Sequence, residues 1–168
     1  MQIDAFTARP VSLNSLQVVI VPSMAFDIDE DTQHYIRDHR IARLATVAED
    51  NTPSIVPICY VFDGQHVYSP IDEKPKRVPP DQLKRVRNIK ANSAVSMVID
   101  DYSENWNELR YVLLSGSAEL ILPNEEPAEH IRAVAQLRDK YVQYRAMEID
   151  KRPIIRILIT RIKRWTPG

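Results

Sequence analysis

The sequence predicts a mainly β protein in which six antiparallel strands form a barrel and helices pack around it. The prediction rests on closely spaced β-rich segments, on Asp63-Gly64 as a hairpin turn between two of them, and on a glycine count of only three. Tight hairpins force antiparallel pairing, and closure into a barrel removes the edges that an open sheet would expose. The six predicted strands are 41–47, 55–62, 66–69, 94–99, 111–122 and 154–165.

Each strand has its own signal in the sequence. Segment 41–47 alternates, so Ile41 and Arg43 share one face while Ala42 and Leu44 share the other. The turn-forming cluster 49–53 separates this strand from the second, and the Asp63-Gly64 turn separates the second from the third. The last three strands are rich in Val, Ile, Leu and Tyr. Gly116 lies inside the long fifth strand, where a glycine indicates a bulge or the close approach of another backbone.

Three helices are predicted between the strands, at 29–39, 81–91 and 123–144. The first begins with acidic residues, and either Asp27 or Asp29 is placed to cap its amino end. In the second helix, Leu83, Val86 and Ile89 are spaced to face the core. We divide the chain into an N-terminal extension, 1–26, and one domain, 27–168.

The composition narrows the classes of partner and location. The chain has 168 residues and a formal net charge of −1, so we expect no nucleic-acid partner. No segment reaches the roughly 18 apolar residues that span a bilayer, so we expect no membrane partner. The apolar run 16–21 is short and lacks a cleavage pattern, which argues against a signal peptide. A single cysteine, Cys59, fits a reducing compartment, and we expect a cytoplasmic protein.

The sequence contains little that indicates a catalyst made of protein groups alone. The four histidines stand in unrelated contexts, and none has metal-ligand spacing to another His, Cys or carboxylate, so no metal site is predicted. Cys59 lies between apolar neighbours and is best interpreted as a structural thiol. No nucleophile elbow, dinucleotide fingerprint or phosphate loop is present. The catalytic residue therefore stays unknown.

Positive charge is concentrated directly after the third strand. Seven cationic side chains occur between positions 74 and 90: Lys74, Lys76, Arg77, Lys84, Arg85, Arg87 and Lys90. Two prolines, Pro70 and Pro75, restrict the loop and would hold the first lysines in place. Such a loop suits a phosphate group, although the residue content alone is more typical of a solvated basic helix face.

Several stretches together resemble a known group of proteins. They are RIARLATV at 40–47, PSIVPI at 53–58, VYSPIDEKPKR at 67–77, LKRVRNIKAN at 83–92, and the segments 100–106 and 140–145. In their order and spacing, residues 35–165 resemble the pyridoxamine 5′-phosphate oxidase-like superfamily of FMN-binding split β-barrels. Within it they are most similar to the probable deazaflavin (coenzyme F-420)-dependent enzymes.

The resemblance implies a homodimer that binds a deazaflavin or FMN in a groove at its interface and transfers hydride to a small organic substrate. It implies cofactor contacts from the second strand and the end of the third: Ser54, Ile55, Val56, Pro57, Tyr68 and Ser69. It implies that Lys74 and Lys76 bind the phosphate, joined by Arg43 and Arg77. The aromatic residues Trp106, Tyr111 and Trp165 are candidates for the substrate face.

The second strand departs from the vitamin B6 oxidase itself. That enzyme carries an Arg-x-Val-Leu-Leu-Lys strand, whereas Ser54-Ile55-Val56-Pro57-Ile58-Cys59 has no basic residue. The departure favours coenzyme F-420 over FMN. Two alternatives stay open: an FMN-dependent oxidoreductase of the same fold, and a non-catalytic module that binds flavin or haem.

Overall fold

A computed structural model describes residues 28–72 and 79–167, and in these ranges it contains seven strands and three α-helices. The strands are β1 (Ile41–Val47), β2 (Pro53–Cys59), β3 (Val61–Phe62), β4 (His66–Pro70), β5 (Ala94–Asp101), β6 (Arg110–Ile121) and β7 (Ile154–Trp165). The helices are α1 (Glu30–Asp38), α2 (Lys84–Ala91) and α3 (Pro127–Lys140). All strands join one sheet in the order β2-β1-β5-β6-β7-β4-β3, and all its pairs are antiparallel. The predicted mainly β, antiparallel split barrel is confirmed, with seven strands instead of six.

The extra strand arises because the predicted strand 55–62 breaks at Tyr60. β2 and β3 lie at opposite ends of the sheet order, although one residue joins them. The two sheet edges therefore come together at Tyr60, and the sheet curls into a barrel. Tyr60 is fully buried, its N–H donates to the Tyr141 hydroxyl at 3.0 Å, and that hydroxyl lies 2.8 Å from the Tyr60 carbonyl oxygen. No glycine or other turn residue marks this break in the sequence.

The inward side chains of the strands fill the barrel interior. Buried strand residues of this core are Ala42, Leu44, Ile58, Val67, Val95, Met97, Ile99, Val112, Leu114, Ala118, Ile155, Ile157 and Ile159. Helices α1 and α2 add buried side chains to it, among them Ile36, Val86 and Ile89. The predicted inward face of α2 is thus confirmed. A buried hydrogen bond of 2.9 Å from Asn88 Nδ2 to Thr46 Oγ1 attaches α2 to β1.

The helix ends agree only in part with those predicted from the sequence. The Asp29 carboxylate caps α1 by accepting the N–H of Thr32 at 2.9 Å, as predicted. Helix α2 begins at Lys84 instead of 81, after a short 3-10 turn, Pro80–Gln82. Helix α3 ends at Lys140, and the expected final turn is the separate 3-10 segment Val142–Ala146.

Helix α3 packs on the outside of the barrel and creates a second hydrophobic core. Its buried members are Val61, Tyr68, Ile121, Ala133, Val134, Leu137, Tyr141, Tyr144, Ile149 and Ile154. An ion-pair network lies beside it, in which Arg156 of β7 contacts Glu119, Glu126 and Glu129. Since Glu119 is on β6 and Glu129 is on α3, this network attaches the helix to the sheet.

Gly116 lies where β6 and β7 come closest. The register between these strands shifts at Ser115 and Gly116, which is a β-bulge. A Cβ atom at position 116 would lie 2.0 Å from the backbone oxygen of Leu158, so no larger residue fits there. The prediction of a bulge or close approach at this glycine is confirmed.

Two parts of the prediction fall outside the described residues. The extension 1–26 is one of them, and its boundary with the domain stays a prediction. The other is segment 73–78, with three of the predicted phosphate ligands, Lys74, Lys76 and Arg77. Within the described ranges, no helix has the length and apolar character needed to cross a bilayer.

Candidate site on the outer face of the barrel

The outer side of the sheet is divided into two regions. Helix α3 covers the outward side chains of β3, β4 and the adjoining halves of β6 and β7, which form the second core. Outward side chains on β1, β2, β5 and the remaining halves of β6 and β7 are exposed or half-buried. We call this region the uncovered face, and its members are Ile41, Arg43, Ala45, Ile55, Pro57, Ser96, Val98, Asp100, Tyr111, Leu113, Ser115, Arg161, Lys163 and Trp165.

A row of small side chains forms the floor of the uncovered face. The strand registers place Ala45, Ser96 and Ser115 side by side, with Ile55 at one end of the row and Arg161 at the other. The Ser96 and Ser115 hydroxyls lie 3.0 Å apart and form a hydrogen bond. Because these side chains are short, no large side chain protrudes from this floor, and a planar ring system can lie flat against it.

Large apolar side chains surround this floor. Their exposed fractions are 67% for Ile55, 47% for Ile41, 42% for Trp165 and 39% for Tyr111. The rings of Tyr111 and Trp165 are stacked, with centroids 5.8 Å apart and planes 16° apart. An apolar patch of this kind on a soluble domain is typical of a binding surface.

The charged groups of the uncovered face are mainly cationic. Arg43 forms an ion pair with Asp100 on the neighbouring strand. Arg161 and Lys163 are exposed, and neither has a carboxylate partner among the described residues. The face can therefore accept an anionic group from outside the protomer.

A buried polar cluster lies where β4 ends. Asp72 is only 7% exposed, and the Tyr144 hydroxyl lies 3.4 Å from its Oδ2 atom. Burial raises the pKa of Tyr144, and contact with the Cys59 thiol and the Asp72 charge raises it further. Burial lowers the pKa of the Arg85 guanidinium, which the negative charge of Asp72 opposes. Arg85 Nε is buried without a hydrogen-bond partner among the described residues, so within them this N–H can still donate to one more polar group.

The structure brings five of the predicted site residues together on the uncovered face. They are Arg43, Ile55, Pro57, Tyr111 and Trp165. Their common position follows from strand alternation, because residues two apart on a strand point to the same side. For these residues the structure is compatible with the predicted cofactor and substrate contacts, which stay predictions.

The other predicted site residues lie elsewhere. Ser54 and Val56 alternate with the exposed residues of β2, and Val56 packs against the barrel core. Ser69 is buried, and Tyr68 lies beneath α3, where its hydroxyl donates to Glu129 at 2.7 Å and lies 3.1 Å from Asp63. Trp106 is exposed in the loop between β5 and β6. The structure does not place these residues on one surface, and their roles stay predictions.

Sequence reasoning missed Arg161 and Lys163 on the uncovered face, and Asp72, Arg85 and Tyr144 in the buried cluster. Counting every second residue from the buried Ile155, Ile157 and Ile159 would place Arg161 and Lys163 on the inner side of β7. The bulge opposite Gly116 adds one residue to β7, so both side chains lie on the outer side instead. For the cluster, the sequence did contain a signal: Asp72 follows directly after β4, at the start of the loop that we expect to bind a phosphate group.

Two cavities lie near α2 and away from this face. One of about 590 Å³ is formed by α2 and the β1–β2 turn and contains Lys84, Arg87, Glu49 and Asp50. Hydrogen bonds from Thr52 lower the pKa of Asp50, so this acid is charged and balances part of the basic helix. The other, of about 760 Å³, is lined mainly by apolar residues of α2 and β6.

The histidines do not form a metal site. In residues 28–72 and 79–167, no three metal-ligating side chains come together. All four histidines are described, and none belongs to the uncovered face. His39 bonds Asp101 at 2.9 Å, His130 is buried against the Arg152 carbonyl oxygen, His66 lies near Asp63, and His34 is exposed on α1.

A family comparison identifies the chain. The model of the pyridoxamine 5'-phosphate oxidase family matches residues 28–166, which is most of the sequence. The chain therefore belongs to this family. No curated protein sequence matches it.

Solved structures agree on the fold. The heme storage protein HutZ from Vibrio cholerae is 12% identical with a TM-score of 0.63, covering 82% of this chain and 93% of HutZ. An FAD-binding protein from Mesorhizobium loti is 21% identical with a TM-score of 0.58, covering 80% and 89% of the two chains. An F-420 reductase is 24% identical with a TM-score of 0.53, covering 77% and 94%. At these identities the likeness concerns the fold.

Proposed function

We propose that this family member binds the deazaflavin coenzyme F-420 on its uncovered face and transfers hydride to a small organic substrate. The observation that carries the proposal is the face itself, where a shallow floor of small side chains is bordered by exposed apolar and stacked aromatic groups. The family contains oxidoreductases, and relatives of its fold bind FAD or are named for F-420. FMN is the second candidate cofactor.

The proposed assembly is a homodimer in which the uncovered faces of two copies enclose the cofactor. Ile55 is 67% exposed on an edge strand, and burying it against a second copy removes apolar surface from water. We expect the interface to exceed roughly 1,200 Å² in total. The cytoplasm is the compartment we propose, because the lone thiol of Cys59 remains reduced there.

In this proposal the protein binds, orients and desolvates the ring, and the bound deazaflavin supplies the hydride chemistry. Ala45, Ser96 and Ser115 provide the flat surface for the ring. Tyr111 and Trp165 border the substrate and exclude water from it. Arg43 is held in position by Asp100, so its guanidinium is pre-oriented toward an anionic group.

The phosphate would be bound by Lys74 and Lys76, with Arg77 and Ser69 nearby in sequence. This part extends the sequence resemblance to residues outside the described ranges. Two features support F-420 over FMN: β2 carries no basic residue, and the cationic side chains of Lys84 and Arg87 on α2 are proposed to bind the acidic tail of the deazaflavin, although Glu49 and Asp50 line the same cavity.

Cofactor titration tests the proposal. Purified full-length protein is titrated with F-420, FMN and haemin at matched salt, using cofactor fluorescence for the first two and absorbance for haemin. We expect F-420 to bind most tightly, and Lys84→Ala with Arg87→Ala to weaken F-420 more than FMN. If FMN binds more tightly than F-420 and its affinity is unaffected by Lys84→Ala and Arg87→Ala, the FMN alternative is favoured. Binding of haemin alone would identify a haem-binding module instead.

The phosphate site is tested in the same titration. Lys74→Ala and Lys76→Ala should each weaken binding about ten- to a hundredfold, because each removes a charge-assisted hydrogen bond of about 1.5–3 kcal/mol. Lys90→Ala, at an exposed lysine of α2, is the matched control and should change little. Unchanged affinity in the Lys74/Lys76 double variant, with an unchanged melting temperature, would place the phosphate elsewhere.

A further inference from the structure

The loop between β5 and β6, residues 102–109, is held in shape by its own side chains. Ser103 Oγ donates to Glu108 Oε2 at 2.9 Å, and Asn105 Nδ2 donates to Glu108 Oε1 at 3.0 Å. The Tyr102 hydroxyl donates to Glu104 at 3.1 Å, and the backbone N–H of Asn105 donates to Ser103. The loop is therefore preorganised, and binding through it costs little conformational entropy.

This loop exposes two aromatic side chains and two carboxylates, which are groups that often bind another protein surface. Trp106 is 72% exposed and Tyr102 is 74% exposed, and these are the largest exposed fractions among the large apolar side chains. Aromatic residues held on a preorganised loop are typical anchors of protein interfaces. Glu104 and Glu108 are also exposed, and within the described ranges neither forms an ion pair. The loop is thus an aromatic knob flanked by two carboxylates that accept hydrogen bonds within the loop but have no cationic partner among the described residues.

The uncovered face carries the complementary groups. Arg161 and Lys163 lie two residues apart on β7, both are exposed, and neither has an anionic partner among the described residues. Lys163 lies opposite Leu113 and next to the row that contains Tyr111 and Trp165. A surface with two cations that lack anionic partners, beside an apolar and aromatic area, matches a knob with two carboxylates that lack cationic partners, beside an indole.

We propose that in the dimer the loop of each copy packs on the uncovered face of the other, with Glu104 and Glu108 opposite Arg161 and Lys163 and with Trp106 against the partner's apolar surface. The inference rests on the homodimer of the proposed function and adds the residues that specify it. A two-fold axis makes every such contact twice, so a modest pairwise attraction is doubled. The indole of one copy then borders the cofactor groove of the other, and a monomer has an incomplete site.

Charge reversal provides a test that only an intermolecular contact can pass. Variant A carries Glu104→Lys and Glu108→Gln, the second of which removes the charge but keeps a hydrogen-bond acceptor for Ser103 and Asn105, and variant B carries Arg161→Glu and Lys163→Glu. Each alone brings like charges together, and we expect its dimer Kd to rise about tenfold to a hundredfold in sedimentation at low salt. Mixed together, A and B form heterodimers in which both loop contacts are attractive, so near wild-type affinity should return. A control with Glu125→Lys and Asp139→Lys, on the α3 side, should dimerise like the wild type.

Tryptophan emission tests the aromatic part, because the chain has only two tryptophans. In Trp165→Phe, emission reports on Trp106 alone, and it should shift to the blue and resist iodide quenching as concentration drives dimerisation. Equal quenching in monomer and dimer would overturn the role of Trp106. If the mixture of A and B does not recover the wild-type dimer affinity, the charge contact is overturned. The proposed function still holds in that case if the wild-type protein is a dimer that binds the cofactor. A monomeric wild type would refute the proposed dimer itself.

Discussion

The covered and uncovered regions of the outer barrel surface are parts of one sheet and follow the same strand alternation. Ile121 and Ile55 both point outward, yet Ile121 is 1% exposed beneath α3 and Ile55 is 67% exposed. In the covered region, Arg156 is matched by three glutamates, whereas Arg161 and Lys163 of the uncovered face have no such partners among the described residues. One region is therefore completed by its own chain, and the other is left for a cofactor and a second copy.

The largest expected difference between the regions comes from the two isoleucines. Ile121→Ala removes a side chain packed on all sides, and we expect a loss of about 3–4 kcal/mol in the free energy of unfolding. Ile55→Ala is the matched change in the open region and should cost the monomer less than about 0.5 kcal/mol. Urea unfolding of dilute, cofactor-free protein measures both. Equal losses would mean that β2 is covered in solution.

The charged network of the covered region should give the next largest effect. Arg156→Met leaves Glu119, Glu126 and Glu129 without their common cation, and we expect a loss of about 2–3 kcal/mol at pH 7. Arg164→Met, on the same strand, breaks only the exposed pair with Asp29 and should cost less than about 1 kcal/mol.

The pH dependence of the Arg156 effect has a definite sign. Burial raises the pKa of Glu129, but the hydrogen bond from Tyr68 and the charge and hydrogen bond of Arg156 outweigh it, and the pKa is lowered. A lowered pKa stabilises the fold above the unfolded-state value, and this contribution is lost as pH falls through the folded-state value. Wild type and Arg156→Met should therefore differ by the full amount at pH 7, begin to converge only as pH falls below the unfolded-state pKa of 4.5, and become equal once pH is below the lowered folded-state pKa. A constant difference would contradict an ionic role.

The smallest of the three effects concerns single hydroxyl groups. Tyr141→Phe leaves the buried N–H of Tyr60 without its partner at the junction of β2 and β3, and should cost about 1–2 kcal/mol. Tyr111→Phe is the matched change on the uncovered face, where the hydroxyl has no hydrogen bond to any described residue, and it should be neutral. Thermal unfolding measures both. A neutral Tyr141→Phe would show that the hydroxyl does not secure barrel closure.

Much of the fold followed from local patterns in the sequence. The bounds of β1 and β7 agree with the predicted 41–47 and 154–165, since both are segments rich in β-forming residues. Gly64 has a φ of 108°, as the hairpin turn requires, and Gly116 is the site of the close approach. The candidate site residues of β2 and β4 were assigned by resemblance, and their roles stay predictions; strand alternation explains only why Ile55 and Pro57 share one face with Arg43.

The sequence by itself determined the strand segments, the inward face of α2 and the turn glycines, because each depends on residues within a few positions of one another, whereas the pairing order that closes the barrel depends on distant strands. Tertiary structure decided which outward side chains α3 covers, since Tyr68 and Ile121 become buried only when a distant helix packs on them. It also decided that Arg161 and Lys163 face outward. Thr160 is the extra residue of the bulge opposite Gly116, and it reverses the alternation that would otherwise have pointed both cations into the core.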